Sequence, residues 1–476
     1  MVTFTSRWVA LGALSLGTLA VGLDTTVLSV ALPTLSRDLD AGTAELQWFT
    51  NAYLLVLAAG LLPAGMLGDR LGRKRMLLGA LVVFGVASLA CAYAATGGQL
   101  IAARAALGLG SAVIMPLSAA VLTVLFGERE RGRALSVWVT ANALGVPLGP
   151  LLGGWLLDNF WWGAVFLINL PLVALAVVAV ALWVPESHGD RRRRFDGRGV
   201  LLSAAGLVVL TYGIIEAGEH GWISAAALVP MLGGMVLLGA FAAIRSPLVD
   251  WALFRSRTFT GGALLATLAS FGMLGLLFAL PQYFTAVTGT DAFGAGLRLL
   301  PVIGGLLVGA RAADRLVVRF GARAVIAGGL AVMAAGLLAG SFTSAGSGYG
   351  FVAAWIAVAG VGMGLTMPPA MNAAMAALTP ERSGVGNGLL QALRQVGGAI
   401  GVAVLGTVLN AAYRDALPAS AGAAIRDNVA AGLGDPAVQA AFTTGMGASM
   451  LVASAVALCG AVLALLVMPV LAESRT

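Results

Sequence analysis

Fourteen mostly apolar stretches of about twenty residues follow one another along this chain. They lie roughly at 8–32, 47–67, 76–95, 100–125, 134–157, 163–184, 199–217, 224–244, 260–281, 295–313, 324–341, 350–376, 387–410 and 444–470. A stretch of that length matches a hydrocarbon core about 30 Å thick at about 1.5 Å of rise per residue. Lipid offers the backbone no hydrogen-bond partner, so each stretch is expected to close its own bonds as an α-helix. Composition removes the soluble alternative. Charged residues make up 10% of the 476, against roughly 25% in soluble proteins, and mean hydropathy is +0.95. Such a chain cannot build a water-facing surface, and it is too apolar for disorder. The expected fold class is an all-α polytopic membrane protein. Its 65 glycines suit helices that approach closely without a hydrophobic force between them.

The 28 basic residues orient the chain. With the N-terminus inside, 22 fall in cytoplasmic segments and four, Arg37, Arg298, Arg414 and Arg426, fall outside. Arg104 and Arg394 lie within spans. This positive-inside bias supports fourteen crossings with both termini cytoplasmic, in the cell's inner (cytoplasmic) membrane. The first span does not read as a cleaved leader: its apolar run is too long, and no small-residue cleavage site ends it. Charge-rich breaks at Glu186–Arg198 and Arg245–Arg257 divide the chain into an N-terminal six-helix bundle (1–195), two linker helices (196–252) and a C-terminal six-helix bundle (253–476). The external segment 411–443 has an apolar pattern too weak to assign. The net charge of +7 thus serves topology, and no basic patch interleaved with aromatics points to nucleic acid. Two cysteines and two histidines give no metal or redox motif, and no P-loop string is present. No cofactor, no metal and no enzymatic activity are expected.

Charges inside spans are costly and therefore informative. Asp24 is the one carboxylate well within a span, in Leu23-Asp24-Thr25-Thr26-Val27. It either packs helices, satisfied by hydroxyls, or exchanges a proton. Arg104 lies in Leu100-Ile-Ala-Ala-Arg104 and needs a carboxylate or carbonyls as partner. Between the second and third spans stands Gly65-Met-Leu-Gly-Asp69-Arg70-Leu-Gly72-Arg73-Lys74-Arg75, and Asp314-Arg315 with Gly321 and Arg323 form a worn copy after the tenth span. The fifth span carries Gly145-Val-Pro147-Leu-Gly149-Pro150-Leu-Leu-Gly153-Gly154, a kink-prone face of small residues. Asn51, Tyr53, Glu216, Gln282, Gln391 and Arg394 are further polar candidates for a cavity. The competing readings are interface anchoring for Trp48 and Tyr53, solvation for Glu216, and snorkelling for Arg394.

The loop from Gly65 to Lys74 resembles the signature of the major facilitator superfamily. The string from Gly145 to Gly154 resembles the antiporter motif of exporters within it. Asp24-Thr25-Thr26, Arg104 and the segment Trp161-Trp162…Phe166…Asn169-Leu-Pro171 are similar to motifs of the fourteen-helix drug:proton antiporters, which handle multiple drugs and quaternary ammonium compounds. In that segment Trp162-Gly163-Ala164 stands where the commonest form has Trp-Arg-Trp. The resemblance implies the major facilitator fold, two bundles rocking about a midplane cavity. It implies a monomer that exports amphipathic, cationic drug-like compounds against inward protons, with Asp24 and Arg104 coupling and Asp69, Arg70, Gly72, Arg73 and Lys74 gating. A dedicated exporter of an endogenous metabolite or antibiotic is the alternative. A non-transporting sensor or scaffold stands behind both.

Overall fold

The computed structural model describes residues 4–188, 196–246, 248–378, 383–422, 425–426 and 434–469. Arg191 to Arg194, Arg382, Arg475, part of the external segment and both termini lie outside the described residues. Secondary structure is helical throughout the rest. The helices are α1 (Phe4–Asp38), α2 (Thr43–Leu71), α3 (Arg73–Ala92), α4 (Gly97–Leu125), α5 (Glu128–Asn159), α6 (Ala164–Leu167), α7 (Asn169–Trp183), α8 (Gly197–His220), α9 (Ala225–Ala243), α10 (Arg257–Ala286), α11 (Ala292–Arg298), α12 (Leu300–Gly340), α13 (Tyr349–Ala376), α14 (Ser383–Ala416) and α15 (Pro436–Val467). Thirteen helical stretches among the described residues are long and apolar enough to cross a membrane.

The expected tenth and eleventh spans fall in one 49-residue stretch, Ala292–Gly340. Within it the chain breaks at Gly321, whose φ of 80° and ψ of 156° are not helical. The packing shows that the chain doubles back there. Gly309 lies against Val361 and Leu365, Gly329 against Gly362 and Thr366 at the same level of α13, and Gly305 and Gly336 both lie about a turn further toward Trp355. Gly72, between α2 and α3, has φ 108° and ψ 125°. Both bends thus use a positive φ that side chains other than glycine's resist.

Most buried apolar residues form two clusters. One is built chiefly from α1–α7 and the other from α10–α15. Helix α8 sits on the seam between them, and α9 packs against α8. Thr407 Oγ1 of α14 donates to the Ile214 carbonyl of α8 (2.8 Å), and Tyr212 stacks on Trp48 of α2 with ring centroids 6.4 Å apart. Hereafter the end of the molecule carrying Asp69–Arg75 is the basic end, and the end carrying Asp158–Trp162 is the opposite end.

Candidate functional site

Asp24 and Arg104 meet although 80 residues apart in sequence. Arg104 Nη1 stands 2.6 Å from Asp24 Oδ2, with the side chains 1% and 0% exposed. The guanidinium does more than pair. Its Nε donates to the Phe49 carbonyl at 3.0 Å, and its carbon lies 4.5 Å above the Tyr53 ring. Asn169 Nδ2 donates to Asp24 Oδ1 (3.4 Å) and Ser88 Oγ (3.3 Å). The Tyr53 hydroxyl donates to Ser111 Oγ (3.1 Å) and lies 3.3 Å from Thr25 Oγ1. Five helices, α1 to α4 and α7, therefore converge on one buried ion pair. The Phe49 carbonyl, the Tyr53 ring and the Asn169 amide support this dry pair.

Of the polar candidates only Tyr53 joins this centre. It is not an interface anchor: it is 1% exposed and lies beneath Arg104. Asn51, on the same helix, is fully buried with neither amide atom bonded. Gln282 Nε2 donates to the Phe278 carbonyl of its own helix. Glu216 pairs with His220 Nδ1 at 3.1 Å near the opposite end. Gln391 Oε1 accepts from Arg394 Nη1 (2.7 Å), three residues along the same helix.

At the basic end, Arg73 Nε and Nη2 both donate to Asp69 Oδ1 (3.0 and 2.8 Å). Glu186 completes this corner, accepting from the backbone of Lys74 (3.0 Å) and Arg75 (3.3 Å). Lys74 Nζ donates to the Ala181 carbonyl (2.7 Å). Arg70 is exposed, and Gly65 borders open space. Asp314 of the worn copy is exposed and, among the described residues, forms no ion pair.

The small-residue string of α5 has two faces. A Cβ at Gly145 would collide with the backbone of Gly22 and Leu23, at Gly149 with Thr26, and at Gly153 with Val27. These three glycines dock α5 on α1, beside Asp24, where Thr26 Oγ1 donates to the Gly145 carbonyl (3.0 Å). Gly154 faces the other way, onto Ala292 and Phe293 of α11, and the Pro150 carbonyl abuts Gly296. Asp158 seals the contact: its carboxylate accepts from the backbone N–H groups of Ala292 (3.2 Å) and Phe293 (3.0 Å).

Ser88, Ser111, Glu186 and Asp158 are members to which sequence reasoning gave no role, and Asn169 was named only within the segment Trp161–Pro171. Asn169, a lone amide in an apolar span, carried a usable signal. The two serines carried none.

The sequence pattern described as Major Facilitator Superfamily matches residues 14–402. The chain belongs to the major facilitator superfamily. As a major facilitator it is a multi-pass membrane transporter, and its family consists of transporters, not enzymes. It is 32% identical to the tetracenomycin C resistance and export protein of Streptomyces glaucescens, over 96% of this chain and 91% of that one. It is 33% identical to the multidrug resistance protein Stp of Mycobacterium tuberculosis, over 84% and 75%. Among solved structures, an inward-facing, unoccupied bacterial homologue of the human lysosomal transporter Spinster superposes with a TM-score of 0.71 at 17% identity, covering 98% of each chain. That likeness shows the major facilitator fold.

Proposed function

We propose that this protein is a proton-coupled exporter of amphipathic, drug-like compounds. In this reading the doubling back at Gly321 makes fourteen crossings, arranged as bundles 1–195 and 253–476 with the pair 196–252 between them. The protein works as a monomer in the cytoplasmic membrane with both termini inside, so the basic end is cytoplasmic. Relatives named for resistance to or export of antibiotics and drugs support efflux as the direction.

The dry Asp24–Arg104 pair is the observation that carries proton coupling. Protonation of Asp24 removes the charge that holds Arg104 and leaves the guanidinium with the Phe49 carbonyl and the Tyr53 ring. The pair is thus a two-position element that a proton biases. Asp24 lies on α1, α1 is docked on the glycine face of α5, and the other face of α5 closes on α11. A shift at Asp24 therefore reaches the external closure through one helix. Asp69, Arg70 and Arg73 form the cytoplasmic gate that closes when the outside opens. The driving force suffices: a charge moved through about 100 mV releases about 2.3 kcal/mol, enough for a gradient of roughly fortyfold at about 1.4 kcal/mol per decade.

The test is paired proton and dye flux in reconstituted vesicles. Asp24→Asn is expected to abolish uncoupler-sensitive export. Coupled export that survives this change overturns the role of Asp24. A single endogenous cargo is the second reading, favoured by the tetracenomycin C exporter matching nearly the whole chain. A resistance and dye-efflux profile in a sensitised host separates one cargo from many.

A further inference from the structure

Asp24 and Arg104 cancel. The remaining charge carried deep into the spans does not. Arg394 lies on α14, about 16 Å along the helix from Ser383. Its Nη1 donates to Gln391 Oε1 (2.7 Å), a neutral amide one turn away, and lies 3.6 Å from Met371 Sδ on α13. Its Nε is buried and has no acceptor. Among the described residues no carboxylate stands within ion-pair distance of it. The nearest polar side chain of α10 on that face, Thr267, is already engaged. Gly397, three residues on, packs on the Thr267 backbone, and the Thr267 hydroxyl is engaged with the Ala263 carbonyl (2.8 Å).

A guanidinium withdrawn from water costs several kcal/mol unless a counter-ion and hydrogen-bond acceptors replace it. An amide oxygen and a thioether supply neither a charge nor a second acceptor. The side chain is half-buried, not sealed in. Arginine presents its donors as a fork that matches an oxyanion. The neighbouring Met371 and Met375 are partly buried, adaptable apolar surface, suited to a varied hydrophobic body. A cation finds no such partner, because the one mid-span carboxylate is already held by Arg104.

We propose that Arg394 docks an acidic group of the cargo, a carboxylate or ionised phenol, so that this exporter carries organic anions. The proposal rests on the export reading and names its substrate class. Binding is measured by fluorescence anisotropy with the full chain in phosphatidylcholine nanodiscs. The probes are fluorescein, an anion, and rhodamine 6G, a cation on the same xanthene ring. Arg394→Gln is expected to weaken fluorescein binding about tenfold or more. Arg394→Lys, which keeps the charge but loses the fork, is expected to bind fluorescein between the wild type and Arg394→Gln, and rhodamine 6G binding should stay level or tighten in Arg394→Gln. The proposal fails if the wild type shows no saturable fluorescein binding. It also fails if Arg394→Gln leaves fluorescein affinity intact, or if both dyes weaken equally at unchanged thermal stability. Vesicle flux separates the two claims. Arg394-dependent binding without uncoupler-sensitive movement of any dye sinks the export reading alone. Export of fluorescein indifferent to Arg394 sinks this one alone.

Discussion

At the scale of single residues, Arg104 shows how a membrane interior accepts a full charge. Its donors face a carboxylate and a carbonyl, and its flat face covers an aromatic ring. Removing one partner leaves the other charged and dry. Asp24→Ala or Arg104→Ala is expected to destabilise by about 3–5 kcal/mol. The double variant should lose less than the sum of the two, as read by thermal unfolding in detergent. Tyr53→Phe keeps the ring and loses the Ser111 bond, so about 1 kcal/mol is expected. Both charges were legible in the sequence because an ionisable residue in an apolar run is rare and expensive. Their pairing was not legible, since nothing in the chain marks residues 24 and 104 as neighbours. Ser88 and Ser111 were invisible, because small hydroxyl residues also occur in spans merely as packing groups.

At the scale of helices, the glycines of α5 act by position. Gly145, Gly149 and Gly153 recur every four residues and make one stripe, which the spacing predicted as a packing face. Gly154 is one residue further on and so about 100° around the helix. That single step turns it from α1 to α11, and only the arrangement of helices says what it meets there. Gly149→Leu is expected to push α1 off α5 and sharply reduce the yield of folded protein. Gly65→Leu, beside open space, should not, and detergent-stable yield compares them. The start of α8 offers a pH test. Asp196 caps this helix, with Oδ1 accepting from Gly199 N–H (3.0 Å) and Oδ2 from the Ser246 hydroxyl (2.5 Å). The Ser246 hydroxyl first, and the Gly199 N–H next, hold its carboxyl below the usual value. A lowered folded pKa means stabilisation that is full above the unfolded value and fades as pH falls through the folded one. Ser246→Ala is expected to flatten that acid limb in melting curves taken from neutral pH downward.

At the scale of the whole molecule, the halves are tied at the opposite end. Gln47 Nε2 of α2 donates to the Val402 and Ala403 carbonyls of α14 (3.3 and 3.0 Å), and Asp158 of α5 holds the start of α11. At the basic end, Asp69, Arg73, Lys74 and Glu186 bond among themselves within the first half. Asp158→Ala removes an exposed cap worth about 0.5–1 kcal/mol. It is expected to raise the share of molecules open at that end, read as a longer spin-label distance between positions 159 and 297. Unchanged distances would show that the other ties, Gly154 packing and the Gln47 bonds among them, keep the end shut without it. The helical class and the positions of the apolar stretches were written in the sequence, because both follow from one local rule, apolar length. The partners of Asp24, the two faces of α5 and the isolation of Arg394 were decided only by tertiary structure. They depend on which helices the fold sets side by side, and a buried charge records that it needs a partner without recording where that partner is.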